Sequence, residues 1–197
     1  TKDIVIDADT DGNGGTLTLF NSKVLTSNGN EVWITTYDID LQASSKLIAG
    51  TEGVHIHGSG SSQTIGLGGT AKDMHLDGDE LQRITSSGLA LGNSAAGVMT
   101  VNGVSLNNGQ YITYDNPTVT SPIVSLVATA DDATVVFATA GSTFISVAVQ
   151  ADSGIQVNKA ITTTTGALHL DGDGDDSASG DTPNVVTIAN ALTMTSK

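Results

Sequence analysis

Three acidic phrases hold the residues best suited to chemistry. The first, IVIDADTDGNGG, spaces Asp7, Asp9 and Asp11 two residues apart and runs into Gly12 and Asn13. The second, LHLDGDGDD, sets Asp171, Asp173 and Asp175 at the same spacing, with Asp176 next. A shorter relative, MHLDGDE, holds Asp77, Asp79 and Glu80. Carboxylates at i, i+2 and i+4 of a tight loop can converge on one hard cation. Ca2+ takes about six to eight oxygens, and glycine at the sixth loop position permits the turn. The first phrase reads as a Ca2+ site formed by Asp7, Asp9 and Asp11, with Asn13 as an extra ligand. The second reads as Asp171, Asp173, Asp175 and Asp176, and the third as a weaker set. Uncompensated, such carboxylates repel one another, which favours the metal reading. The EF-hand pattern is not met: residue 18 is Thr where that loop closes with Glu, and Asp176 replaces the glycine of the second loop. The plain alternative is a set of solvated turns that hinder aggregation of a sheet protein.

His55 and His57 in VHIHG share one strand face, opposite Val54 and Ile56, and therefore point outward. With a third ligand from a neighbouring strand they could bind Zn2+ or Cu2+; otherwise they are two exposed imidazoles. His75 and His169 occupy matching outward positions in MHLDGD and LHLDGD. No Ser-His-Asp order or nucleophile elbow stands out. The seven basic residues are spread thinly, and Arg83 is the only arginine. Asp77, Asp79 and Glu80 beside it read as surface ion pairs of about 0–1 kcal/mol.

The elements that must position these residues are strands. TLTLF, VHIHG, TIGLGG, DMHLDG, LALGN, MTVNG, TVVFAT, FISVAVQ, IQVN, LHLDG and VVTIAN all place aliphatics two apart. A two-residue period marks a strand with one buried face, and Gly, Asn, Asp or Ser after nearly every run ends it in a turn. DELQRITSSG comes nearest to a helical turn and is too short to stand alone. Only 4% of residues are aromatic, so the core must be built from Val, Ile, Leu and Ala. With 23 glycines and 3 prolines, the chain favours tight turns and uninterrupted ladders.

The opening phrase aligns with the closing one. Asp7, Asp9 and Asp11 fall on Asp171, Asp173 and Asp175, and after an insertion Leu17, Leu19 and Asn21 fall on Val186, Ile188 and Asn190. Residues 1–197 thus read as a single unit, about one period of a tandem array, whose own beginning returns near residue 168. Two architectures fit: a β-solenoid whose passes stack at the interstrand spacing, and a β-sandwich filament subunit. Aromatic poverty and a Thr-rich exterior favour the solenoid. Residues 107–122 hold two of the three tyrosines and two of the three prolines, and read as a loop or seam.

Across Thr64–Leu106 the chain resembles the repeats of filamentous-haemagglutinin-like large surface proteins. Ile65–Gly69 matches their IGLGG, Asp79–Ile84 their D-x-E-L-x-x-I step without the residue between Asp and Glu, Leu89–Gly92 their L-x-L-G, and Met99–Val101 their I/V-T-V. The resemblance implies a right-handed parallel β-helix in a long secreted or cell-surface protein, and no catalytic residues come with it.

The net charge of −14 argues against nucleic acid or an anionic membrane surface as partner, and no apolar run is long enough to insert in a membrane. The absence of cysteine excludes disulfides and Cys metal sites. A first residue other than Met reads as a processed chain or an excised segment. The expectation is a non-enzymatic extracellular or cell-surface module, structural or adhesive and stabilised by Ca2+. Its partners would be head-to-tail copies or neighbouring repeats, and a carbohydrate or cell-surface ligand. The alternatives are a β-helical carbohydrate-active enzyme and a donor-strand β-sandwich subunit.

Overall fold

The computed structural model describes residues 2–112, 122–174 and 183–197. The chain makes successive passes through the same sheets. The first pass is β1 (Ile4–Asp7), β2 (Thr16–Leu19) and β3 (Val24–Thr26); the second is β4 (Val32–Thr36), β5 (Asp38–Leu41) and β6 (Lys46–Ile48). The third holds β7 (Gly53–Gly58), β8 (Gln63–Gly68), β9 (Met74–Leu76), the single-turn helix α1 (Gly78–Leu81) and β10 (Ile84–Thr85). The fourth has β11 (Gly88–Asn93) and β12 (Ala96–Asn102), and the fifth β13 (Ile123–Ala128), β14 (Val135–Phe137) and β15 (Ser142–Phe144). The sixth has β16 (Val147–Ala151), β17 (Ile155–Val157) and β18 (Ile161–Thr163), and the last β19 (Leu168–Asp171) and β20 (Val186–Ile188).

The protein is all-β with parallel sheets. The first wall is seven-stranded, in the order β1-β4-β7-β11-β13-β16-β19, one strand from each pass. The second contains β20-β17-β14-β12-β8-β9, with β2-β5 as a separate pair. The third contains β10-β6-β3 and the pair β15-β18. Every ladder among the described strands is parallel, unlike the antiparallel ladders of a β-sandwich.

Alternation sets the packing. On the first wall, Ile6, Ile34, Ile56, Leu91, Leu126, Val149 and Leu170 stand in register and face inward. The second wall contributes Leu67, Val101, Phe137 and Val157. These rows meet in one core, and Ile34, Leu67 and Phe137 are essentially inaccessible. Burying each such side chain is worth about 1.5–3 kcal/mol.

Three features depart from simple alternation. The run FISVAVQ is two strands, not one, because the chain turns a corner at Ile145–Ser146, where buried Ser146 gives its hydroxyl to Ala167 O. After β8 the chain doubles back within a few residues, so that β9 pairs in parallel with β8 itself. Gly66 makes this possible, because a Cβ there would run into Thr70 O. As a result β9, not β8, faces β5, and no backbone ladder joins them. Side chains bridge this gap instead. Asp38 Oδ1 accepts from His75 N at 2.9 Å, Glu80 Oε1 from Leu41 N at 3.0 Å, Gln63 Nε2 donates to Tyr37 O, and Arg83 Nη1 donates to Leu41 O. From Asn107 to Ile112 the chain is turns with Ile112 buried, as a loop leaving β12; residues 113–121 lie outside the described residues.

Candidate functional site

Two of the acidic phrases occupy equivalent places at opposite ends of the first wall. Asp7 ends β1 and Asp171 ends β19. Each folds the next alternate residue back the same way: Asp9 N donates to Asp7 Oδ1 at 3.2 Å, and Asp173 N to Asp171 Oδ1 at 3.4 Å.

Within the first loop the carboxylates diverge. Asp9 is turned inward, with 6% of its surface exposed, whereas Asp7, Asp11 and Asn13 are exposed. Its Oδ1 accepts from Asn13 N at 3.1 Å, and its Oδ2 from Gly14 N at 3.2 Å and from Ser59 Oγ. Gly12, at φ +67°, lets the loop turn back so that its N–H reaches Asp9 O. Asp11 Oδ1 accepts a further bond from Asn13 N at 3.3 Å. The Ser59 hydroxyl, with backbone N–H groups assisting, holds the Asp9 carboxyl below its ordinary range against the opposing effect of burial. Asp9 therefore anchors its loop to a corner of the third pass, leaving Asp7 and Asp11 as the outward carboxylates.

At the other end, Asp173 Oδ1 accepts from Asn184 Nδ2 at 3.3 Å. Asp175 and Asp176 lie outside the described residues. The middle phrase is committed to a helix cap. Asp77 Oδ1 accepts from Asp79 N and Glu80 N, both at 2.8 Å, and Glu80 Oε2 accepts in return from Asp77 N at 2.9 Å. Glu80 is 8% exposed, and burial pushes its carboxyl above the ordinary range, with the N–H groups of Asp77 and Leu41 opposing. Asp79 alone of the three faces solvent. Among the described residues no group of three or more His, Cys, Asp or Glu side chains converges.

His55 and His57 project from the outer face of β7, as their alternation with buried Val54 and Ile56 requires. His55 stacks on Trp33 of β4, ring centroids 3.7 Å apart and 3° from parallel. Its Nε2 is buried and lies 3.7 Å from Glu31 Oε1, beyond hydrogen-bond reach. The flanking residues of this outer row are Trp33 and Ala90, so neither adjacent strand supplies a third metal ligand. His57 meets Thr35 Oγ1 at 3.3 Å. His169 is exposed, whereas half-buried His75 holds Gly68 O at 2.6 Å; these two histidines, matched in sequence, stand on different walls.

The third wall carries an arrangement that sequence spacing concealed. Ile84 pairs with Leu47, and Leu47 N donates to Arg83 O, which sets Arg83 beside Lys46 on the outer face. The two cations, remote in sequence, line an open groove with Gln82, Thr85 and Tyr111. Ser45 also lines it, and its buried Oγ has no hydrogen-bond partner.

Comparison with family models, with curated proteins and with solved structures finds no match.

Proposed function

We propose that the chain is a non-enzymatic structural and adhesive module, a right-handed β-solenoid segment of an extracellular or cell-surface array that continues head to tail in further passes. The state of the two end passes carries this reading. Ile4, Ile6, Leu17, Leu19 and Leu25 at one end, and Leu168, Leu170, Val186, Leu192 and Met194 at the other, pack against the core yet are only partly buried. The rows between them are closed. Val5 is 74% exposed on β1, and Val185 and Ile188 are exposed at the far end. Among the described residues β1 and β19 each have one ladder partner, so each presents a strand edge with no described partner.

Repeat stacks that end in solution close with polar caps. These apolar edges suit coverage by a further pass, whether from the same chain or from another copy. The shared acidic phrase supports the same reading, since it follows the first and last strands of one wall. Calcium enters this proposal through Asp7 and Asp11, because Asp9 is committed to protein donors. A carbohydrate-active enzyme would instead need converging acids and bases on an outer face.

Negative-stain imaging across a range of protein concentrations tests the module reading. Rods of uniform width that lengthen with concentration are expected, and Val5→Lys should shorten them. Single compact particles at every concentration would refute head-to-tail stacking.

A further inference from the structure

We infer that the groove on the third wall binds a carboxylated sugar, a uronate unit of an acidic polysaccharide. The inference rests on the adhesive part of the function proposed above and gives it a site.

Lys46 and Arg83 stand side by side on adjacent parallel strands, about 4.8 Å apart in the ladder direction. Like charges in matched register disfavour each other. The chain has 21 acidic residues against 7 basic ones, so acidic partners are plentiful. None lines this groove, and neither cation has a carboxylate within 4.0 Å among the described residues. A patch of uncompensated positive charge on so acidic a protein is the local inverse of its surroundings, and an anion relieves it.

Ser45 is 1% exposed, and its Oγ lacks any hydrogen-bond partner. A buried hydroxyl left unpaired costs stability, and Ser45 alternates with outward Lys46, so this one faces the core beneath the groove and stays out of a ligand's reach.

The remaining walls fit a sugar ring. Tyr111 is 50% exposed, and its backbone is tied down because Ser86 N donates to Tyr111 O. Its ring offers an apolar face with a polar tip, suited to the C–H face of a pyranose. Thr85 and Gln82 supply hydroxyl and amide groups at the rim. Arg83 is fixed by its Nη1 bond to Leu41 O, which leaves the rest of the guanidinium to meet a carboxylate. Lys46 is exposed and completes the charge as a mobile point cation. The open groove offers about 320 Å³, at the small end of the range of small-molecule sites.

The test is isothermal titration with a short oligogalacturonate at about 25 mM salt and again at about 500 mM, where exposed charges are largely screened. A neutral maltooligosaccharide of equal length is the control. The chain is expected to bind the uronate saturably and the neutral sugar not at all, with affinity falling steeply in high salt. Lys46→Glu should weaken binding by about tenfold or more, roughly 1.4 kcal/mol. Tyr111→Ala should weaken it by about fivefold through loss of the ring contact. Both side chains are exposed, and thermal melting checks that the variants remain folded. Absence of saturable binding at low salt, equal affinity in Lys46→Glu, or equal binding of the neutral sugar would each overturn the proposal. Imaging of the same Lys46→Glu sample reads head-to-tail stacking separately. Lost binding in Lys46→Glu with rods intact supports a groove distinct from the stack, whereas saturable wild-type binding without wild-type rods refutes the stack alone.

Discussion

Replacing Glu80 by Ala should destabilise the fold by about 3 kcal/mol, because one buried carboxylate holds two backbone donors. Its Oε1 accepts from Leu41 N, whose residue is 2% exposed, and its Oε2 from Asp77 N, which is half-buried. Each buried donor left unpaired costs about 1–3 kcal/mol, with Leu41 near the middle of that range and Asp77 near the bottom. For a chain of this size each kcal/mol is worth about 2–4 °C, so the melting temperature should fall by about 6–12 °C.

Glu80→Gln keeps one acceptor oxygen and removes the charge, and its cost at neutral pH should stay within about 1 kcal/mol. The pH dependence follows from burial, which raises the folded carboxyl above the ordinary value of 4.5. A raised acid contributes stability that is complete below the unfolded value and is lost as pH rises through the folded one. Glu80→Gln should therefore gain on the wild type as pH rises from about 4 to about 7. Circular-dichroism melting of both variants at the two pH values reads both effects. If Glu80→Ala melts within about 2 °C of the wild type at neutral pH, the carboxylate is not bridging the gap between β5 and β9, and the reasoning fails.

The Asp9 and Asp73 carboxyls, both held low chiefly by hydroxyl donors, Ser59 for one and Thr64 for the other, should lend stability above pH 3.8 that disappears as pH falls through the depressed folded values. Ser59→Ala should shrink the Asp9 part of that acid sensitivity in a melting series from pH 7 downward, and an unchanged series would separate Asp9 from it. Gly66→Ala should cost about 2 kcal/mol by forcing Thr70 O away, which chemical denaturation would reveal as a lower midpoint at constant slope. With two outward carboxylates at the first loop, Ca2+ binding should be no tighter than about millimolar. At a concentration equal to Kd that adds about 0.4 kcal/mol, so melting in millimolar Ca2+ should exceed melting in EDTA by about 1 °C, and Asp11→Asn should abolish the difference. Identical curves for the wild type would remove calcium from the proposal.

The strands were legible where aliphatics alternate and glycine or asparagine closes the run, as in VHIHG, LALGN and IQVN. The short helix was legible only as the near-helical turn of DELQRITSSG from Asp79; the structure starts it at Gly78 with Asp77 as its cap. The corner between β4 and β5 was not, because VWITTYDIDL offers no glycine. There buried Thr36 turns the chain by giving its hydroxyl to Gly15 O and Asp38 O, partners that only the fold supplies. The acidic phrases announced themselves by spacing, yet spacing does not say which way a carboxylate faces. Asp9 points inward because the loop's own N–H groups and Ser59 receive it, and Glu80 because Leu41 N has no ladder partner. The pairing of Lys46 with Arg83 depends on β6 and β10 meeting edge to edge, which no local pattern encodes.

The missing ladder between β5 and β9 makes that wall open like a clasp. The first and third walls run unbroken past the same level, through β4-β7 and β6-β10, and would act as its hinges. In a stack where each layer is supported only by its neighbours, the weakest junction sets how far an opening spreads. Prising the wall apart there ruptures a handful of side-chain contacts instead of a row of amides. Deuterium should therefore enter β2 and β5 well before it enters β8 and β12. A pulling force along the stack should release the first two passes as one leaf, and leave the remainder standing.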